Sequence, residues 1–167
     1  MGMVPLTELE TPEEIIILAY GLEKGLEEFY SAVAEKVDDP NVSKLLSRLA
    51  GIETKHRQRL FHLYGSLDPV VSDMDAFESG IVSEMMEGGF TTETFLEKNK
   101  PAMETTSGVL NMAMMLEAQG LDLYLRYSHK VKDEEGKAIL NDTAEEEKGH
   151  LAYLGQLMEN TYEEGGC

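Results

Sequence analysis

The sequence predicts an all-α protein, a four-helix bundle of two antiparallel helix hairpins joined by one long crossover. Three observations predict it. Apolar residues recur at spacings of three and four along four long segments. The segments fall into two pairs, and the connection within each pair is too short for anything but an antiparallel hairpin. The second pair also repeats the first at a constant offset of 94 positions: Ile16 maps onto Leu110, Ala19 onto Ala113, Leu46 onto Leu140, Ala50 onto Ala144 and Leu60 onto Leu154.

The first helix is expected over about residues 12–37, opened by Thr11-Pro12-Glu13-Glu14, in which Thr11 caps, Pro12 suits the first helical position and Glu14 closes a capping box. Its inward seam reads Ile16, Ala19, Glu23, Leu26, Tyr30, Val33 and Val37, and Asp38-Asp39-Pro40 ends it. The second helix is expected over about 40–64, stopped by Gly65, with seam Val42, Leu46, Leu49, Glu53, His56, Leu60 and Leu63. Residues 66–104 hold Pro69, Gly80, Gly88, Gly89 and Pro101, with short apolar pieces at Phe77 to Met86 and at Phe95-Leu96. This composition predicts a crossover with one or two short helices, since a structureless loop of that length is uncommon inside a compact domain. The third helix is expected over about 106–131, with seam Leu110, Ala113, Glu117, Gly120, Tyr124, Tyr127 and Val131. Asp133 caps a fourth, over about 133–160, with seam Gly136, Leu140, Thr143, Glu147, His150, Leu154 and Leu157; Tyr162 to Cys167 is expected to fray. All 167 residues then form a single domain.

Composition narrows the function classes. The one cysteine, Cys167, excludes a disulfide framework, a Cys-x-x-Cys knuckle and an all-cysteine iron site. The longest apolar run, Ile15 to Tyr20, is too short to span a bilayer, and Met1 to Glu10 has neither a basic nor an apolar leader region, so a soluble cytoplasmic protein is expected. A net charge of −18, from 14 basic and 32 acidic side chains, disfavours nucleic acid and anionic membranes and favours cations or basic partners. Most of those carboxylates belong to a solvated surface. The ones that matter are those the seams turn inward.

Six polar residues interrupt the four apolar seams: Glu23, Glu53, His56, Glu117, Glu147 and His150. Glu53 and His56 form a Glu-x-x-His pair, Glu147 and His150 form another 94 positions on, and Glu23 maps onto Glu117 at the same offset. Glutamate accounts for 24 of 167 residues, so a lone Glu-x-x-His arises for roughly one histidine in seven on composition alone. Two copies with matching upstream glutamates, all on inward seams, are a different matter. A buried carboxylate must be paired, and the seams contain no Arg or Lys. Two divalent cations would balance four carboxylates, with an imidazole completing each shell; residues three apart share a helix face, so one helix offers an oxygen and a nitrogen to neighbouring metals. Ferritin-like di-iron and di-manganese bundles are built on this pattern. A buried polar network without metal is the alternative.

Tyr30 and Tyr124 follow Glu23 and Glu117 by seven residues, two turns along the same face. Each is compatible with an ordinary core tyrosine or with a phenol that hydrogen-bonds a ligand carboxylate and fixes its rotamer. His62 and His129 lack the pattern and read as surface residues; Met112, Met114 and Met115 read as packing.

With these residues in place, the chain resembles the ferritin-like domain of the rubrerythrin family from Thr11 to about Asn160, on Glu23-x6-Tyr30, Glu53-Thr54-Lys55-His56, Glu117-x6-Tyr124 and Glu147-Lys148-Gly149-His150. The segment Leu18-Ala19-Tyr20-Gly21-Leu22-Glu23 is similar to the rubrerythrin-like half of proteins fused to a rhodanese domain. The resemblance implies a non-haem di-iron centre with ligands Glu23, Glu53, His56, Glu117, Glu147 and His150, reduction of hydrogen peroxide or dioxygen, and a homodimer. Two positions depart from it. A single cysteine cannot build the four-cysteine rubredoxin site of typical members, so electrons must come from an external donor such as a rubredoxin-like protein. Gly120 stands where typical members carry a seventh, mobile glutamate, which leaves a symmetrical six-ligand set closer to a bacterioferritin-type ferroxidase centre.

Three functions follow as expectations. The first is a di-iron oxidoreductase acting on peroxide or dioxygen, with zinc or manganese as possible substitutes for iron. The second is iron oxidation, storage or buffering. The third is a metal-free helical interaction module presenting its acidic surface.

Overall fold

The computed structural model describes residues 10–70, 73–82 and 92–164. Four long helices dominate these residues: α1 (Pro12–Ala34), α2 (Pro40–Leu67), α5 (Thr106–Tyr127) and α6 (Glu134–Glu164). Between α2 and α5 lie a short helix α3 (Met74–Ala76) that runs into a π-helical turn (Phe77–Val82), a helix α4 (Thr92–Asn99) and a 3-10 turn (Lys100–Met103). α1 packs on α2 and α5 on α6, and the two hairpins close against each other through α1 on α5 and α2 on α6. The ferritin-like architecture expected from the sequence is the one observed: hairpin, crossover, hairpin.

The caps repeat with the seams. Thr11 and Glu14 form a reciprocal capping box, Glu14 accepting from the Thr11 N–H at 2.8 Å while the Thr11 hydroxyl accepts from the Glu14 N–H at 3.3 Å. Thr105, 94 positions on, accepts from the Gly108 N–H at 3.1 Å. Asp39 accepts from the Asn41 and Val42 N–H groups at the head of α2. Asp133, again 94 positions on, accepts from the Gly136 N–H at 2.8 Å. The same residue type thus starts corresponding helices in both halves.

Helix ends differ from expectation at four places. α1 stops at Ala34 and α5 at Tyr127 rather than at Val37 and Val131, because the chain turns early enough to put Asp39 and Asp133 in capping position. Val131 stays buried beyond its helix. α2 runs through Gly65 to Leu67, and the break comes at Asp68, which leaves the helical region (φ −128°, ψ 90°) ahead of Pro69. α6 continues past Asn160 to Glu164, so Tyr162 belongs to the helix; the expected fraying of the final residues falls outside the described ones.

Aromatic side chains bind the crossover to the bundle. Phe77 is fully buried, edge-on to Tyr20 with centroids 5.1 Å apart and tilted against Tyr64 at 4.7 Å. Phe95 on α4 meets Phe29 on α1 edge-on at 6.1 Å. The two apolar pieces anticipated in the crossover are therefore its anchors, although Ser83 to Met86 lie outside the described residues. A polar hub reinforces the first anchor. Glu78 accepts from the Tyr20 hydroxyl at 2.8 Å and pairs with Arg57 at 2.9 Å and Lys24 at 2.5 Å, while Arg57 also pairs with Glu27.

Candidate metal centre

The six residues singled out on the seams meet in the middle of the bundle. Glu23 comes from α1, Glu53 and His56 from α2, Glu117 from α5, and Glu147 and His150 from α6. Each helix brings its share because the seam spacing keeps these positions on the inward face, and the helix pairs align them at one height. Five of the six are completely buried and His150 is 5% exposed. Tyr30 and Tyr124 are buried beside them, and His62 and His129 are exposed as expected.

Both histidines turn Nδ1 towards the carboxylates. His56 Nδ1 lies 2.9 Å from Glu53, 3.2 Å from Glu147 and 3.6 Å from Glu23. His150 Nδ1 lies 3.2 Å from Glu117, 3.5 Å from Glu53 and 3.6 Å from Glu147. The two rings are nearly parallel, 18° apart in plane with centroids 5.7 Å apart. Two donor groups result, Glu23, Glu53, His56 and Glu147 on one side and Glu53, Glu117 and His150 on the other, each with ligand atoms within 4.8 Å of one another. Glu53 belongs to both.

Most of this proximity is not hydrogen bonding; the contact between His150 Nδ1 and Glu117 is the exception. Glu23 Oε2, both oxygens of Glu53, both oxygens of Glu147 and Nδ1 of His56 are buried without a hydrogen-bond partner. Orphaned buried acceptors on this scale are costly in a protein interior, and here they all aim at one place. No Arg or Lys reaches them among the described residues: the nearby Arg57 turns away to Glu27 and Glu78, and Arg59 to Glu146. The donor set fits hard or borderline divalent cations, carboxylate oxygens with one imidazole nitrogen on each side.

The electrostatics agree with that fit. Burial, reinforced by the charge of Glu23, pushes the Glu53 carboxyl up to about 11 and Glu147 up to about 8. Burial by itself would lower both imidazoles, but the surrounding carboxylates outweigh it, holding His150 up at about 9 and His56 above its ordinary range. Glu117 goes the other way: burial raises it, yet the adjoining Glu147 carboxyl and the hydrogen bonds with His150 and Tyr30 leave it below its ordinary value. The cluster therefore gathers protons, and an entering cation would displace them.

The tyrosines cross over. Tyr30 on α1 donates to Glu117 on α5, and Tyr124 on α5 donates to Glu23 on α1. Each phenol thus fixes a carboxylate of the opposite hairpin rather than the glutamate two turns before it on its own helix. Burial and the neighbouring carboxylates raise both phenols, so they stay protonated donors. Gly120 borders the cluster: a β-carbon there would sit 3.6 Å from Leu22 and 3.7 Å from Glu147 Oε2.

One contact escaped sequence reasoning. Glu146 lies 2.9 Å from Nε2 of His56. It neighbours Glu147, so it sits 100° round the helix, off the seam, and its counterpart 94 positions earlier is Ile52. Neither periodicity nor the repeat marks it.

Known families bear on the whole chain. No curated protein and no solved structure matches it. The family model described as Rubrerythrin matches residues 14–103 and 108–165, a span that takes in the four long helices apart from the first two residues of α1 and of α5, and all six buried glutamate and histidine residues. The chain belongs to the rubrerythrin family.

Proposed function

We propose that the protein is a non-haem di-iron oxidoreductase of rubrerythrin type, a single ferritin-like domain that reduces hydrogen peroxide or dioxygen with electrons from an external donor. The observation that carries this is the set of buried, unpartnered carboxylate oxygens of Glu23, Glu53 and Glu147 converging with His56 Nδ1, without an Arg or Lys among the described residues reaching them. Glu23, Glu53, His56, Glu117, Glu147 and His150 are the ligands in this reading, with zinc or manganese able to substitute. When bound, a pair of iron ions supplies two electrons to an O–O bond.

The chain's own residues define the rest. Glu53 stands between the two histidines and belongs to both donor groups, while Glu147 belongs to the one that contains His56. Tyr30 and Tyr124 hold Glu117 and Glu23 by their hydroxyls, so those carboxylates keep their orientation while charge at the centre changes. Buried leucines of the four helices, Leu26, Leu49, Leu116 and Leu123 among them, keep bulk water away. These residues hold a single cysteine and cannot build a four-cysteine iron site, so in this reading electrons reach the domain from outside it, from a rubredoxin-like donor, and a homodimer is the expected assembly.

Gly120 favours a second reading, iron oxidation with storage or buffering. The six ligands are symmetrical about the repeat, and the position that would carry a seventh carboxylate offers none. Anaerobic loading of the metal-free protein with ferrous iron, followed by mixing with peroxide or oxygen, separates the two. Di-ferric absorption appearing much faster with peroxide supports the peroxidase; the opposite order, with many irons retained per chain, supports the ferroxidase. Failure to bind ferrous iron at all would sink both and leave a metal-free interaction bundle.

A further inference from the structure

The 94-residue repeat makes the six glutamate and histidine residues of the centre equivalent in sequence, and two positions beside His56 break that equivalence. His56 faces the carboxylates through Nδ1, while its Nε2 lies 2.9 Å from Glu146 Oε2. The other oxygen of Glu146 accepts from Arg59 at 2.5 Å. His150 also faces the carboxylates through Nδ1. In its half of the repeat, however, Ile52 stands where Glu146 would be and Tyr153 where Arg59 would be. No side chain among the described residues hydrogen-bonds Nε2 of His150. The donor groups differ in the same sense, four side chains on the His56 side against three on the His150 side.

We propose that Glu146 is a positioning residue for His56 and makes the two metal positions inequivalent, the His56 position filling first. This rests on the two-metal reading of the site. A carboxylate on Nε2 accepts that N–H, which fixes the tautomer with the Nδ1 lone pair facing Glu53 and Glu147. It also stops the ring from turning and makes Nδ1 the better donor. Arg59 holds the second oxygen of Glu146, so the arrangement exists before a cation arrives and little freedom is lost on binding. The side chains of Arg59 and Glu146 are 42% and 39% exposed, so their value lies in geometry and not in Coulomb energy. His150 has no such support and is ordered by the cation it binds.

The test is a titration of the metal-free full chain with cobalt(II), followed by visible absorption and by the paramagnetically shifted imidazole N–H signals. The wild type is expected to bind two cobalt ions in two steps, and the first equivalent brings out one N–H protected from solvent exchange, that of His56. Glu146→Ala should weaken the first step by about 10–100-fold and remove the exchange protection, leaving the second step unchanged. Glu146→Gln, which keeps an acceptor, should restore the protected signal and part of the affinity. Ile52→Glu, a carboxylate at the corresponding place beside His150, should tighten the second step. Melting of the metal-free variants checks that each is folded. Two cobalt ions bound with affinities indifferent to Glu146→Ala overturn this inference and leave the two-metal reading standing; no cobalt bound by the wild type overturns both.

Discussion

Glu23 and Glu117 each have one oxygen held by a phenol from the opposite hairpin, and this crossing gives the tyrosines their importance. Tyr30→Phe or Tyr124→Phe removes one buried donor and frees one carboxylate to turn. Leaving that acceptor unmatched costs roughly 1–3 kcal/mol in the metal-free protein. The iron-loaded protein should lose less stability, because the carboxylate keeps a partner, while its oxidation kinetics change several-fold. Stopped-flow oxidation and melting curves on both forms provide the check, and identical turnover in both variants would show these to be ordinary core tyrosines. Both tyrosines were legible in sequence by their spacing from the glutamates. Which glutamate each would hold was not, since spacing along a helix says nothing about a partner across the bundle.

At the scale of elements, the crossover depends on contacts that periodicity does not reveal. Glu78 gathers Tyr20, Lys24 and Arg57 onto the π-helical turn, next to the buried ring of Phe77. Glu78→Ala should speed amide exchange in residues 74–82 well before it changes the melting of the four long helices, as hydrogen-exchange mass spectrometry would show. Unchanged protection there would mean that Phe77 alone holds the segment. Two glycines give opposite expectations. A β-carbon at Gly108 would fall 1.9 Å from the Ala102 carbonyl oxygen, so Gly108→Ala forces the 3-10 turn off α5 and should cost about 1–3 kcal/mol. At Gly51, exposed on α2, a β-carbon meets nothing within 4 Å, and Gly51→Ala should stabilise by about 0.5–1 kcal/mol. Denaturant melts of the two variants decide both. The long helices were readable because caps, seams and turns all agree. Gly65 misled, because a glycine can sit in a helix when the real stop, Asp68 before Pro69, follows within a turn.

At the scale of the whole molecule, the buried cluster links stability to pH and to metal. Glu147 at about 8, His150 at about 9 and Glu53 at about 11 are all raised, as is His56. A raised group contributes stability that is complete below its unfolded value and is lost as pH climbs through the folded one. Glu117, lowered, works in reverse and loses its contribution as pH falls. The metal-free protein should therefore melt at steadily lower temperature as pH rises from the ordinary values, 4.5 for Glu147 and 6.5 for His150, to the folded ones near 8 and 9. Divalent metal displaces those protons, so loading should raise the melting temperature and flatten or invert that decline. A cation at 100 times its dissociation constant adds about 2.7 kcal/mol. Circular dichroism melts at two pH values, with and without metal, make the comparison; a metal-free profile that does not fall would contradict the protonated cluster. No helix among the described residues is long and apolar enough to cross a membrane.

The sequence by itself determined the bundle, its two-fold repeat and the six residues at its centre. It could do so because helix period and repeat offset are one-dimensional signals, and a carboxylate on an apolar seam stands out against them. Only the tertiary structure decided which groups meet: that Tyr30 serves Glu117 and not Glu23, that Glu78 ties down the crossover, and that Glu146 backs His56 while Ile52 leaves His150 without a counterpart. Those contacts join side chains 58 to 90 positions apart on different helices. Their geometry follows from the rotation and height at which the helices pack, and no pattern within one helix encodes that.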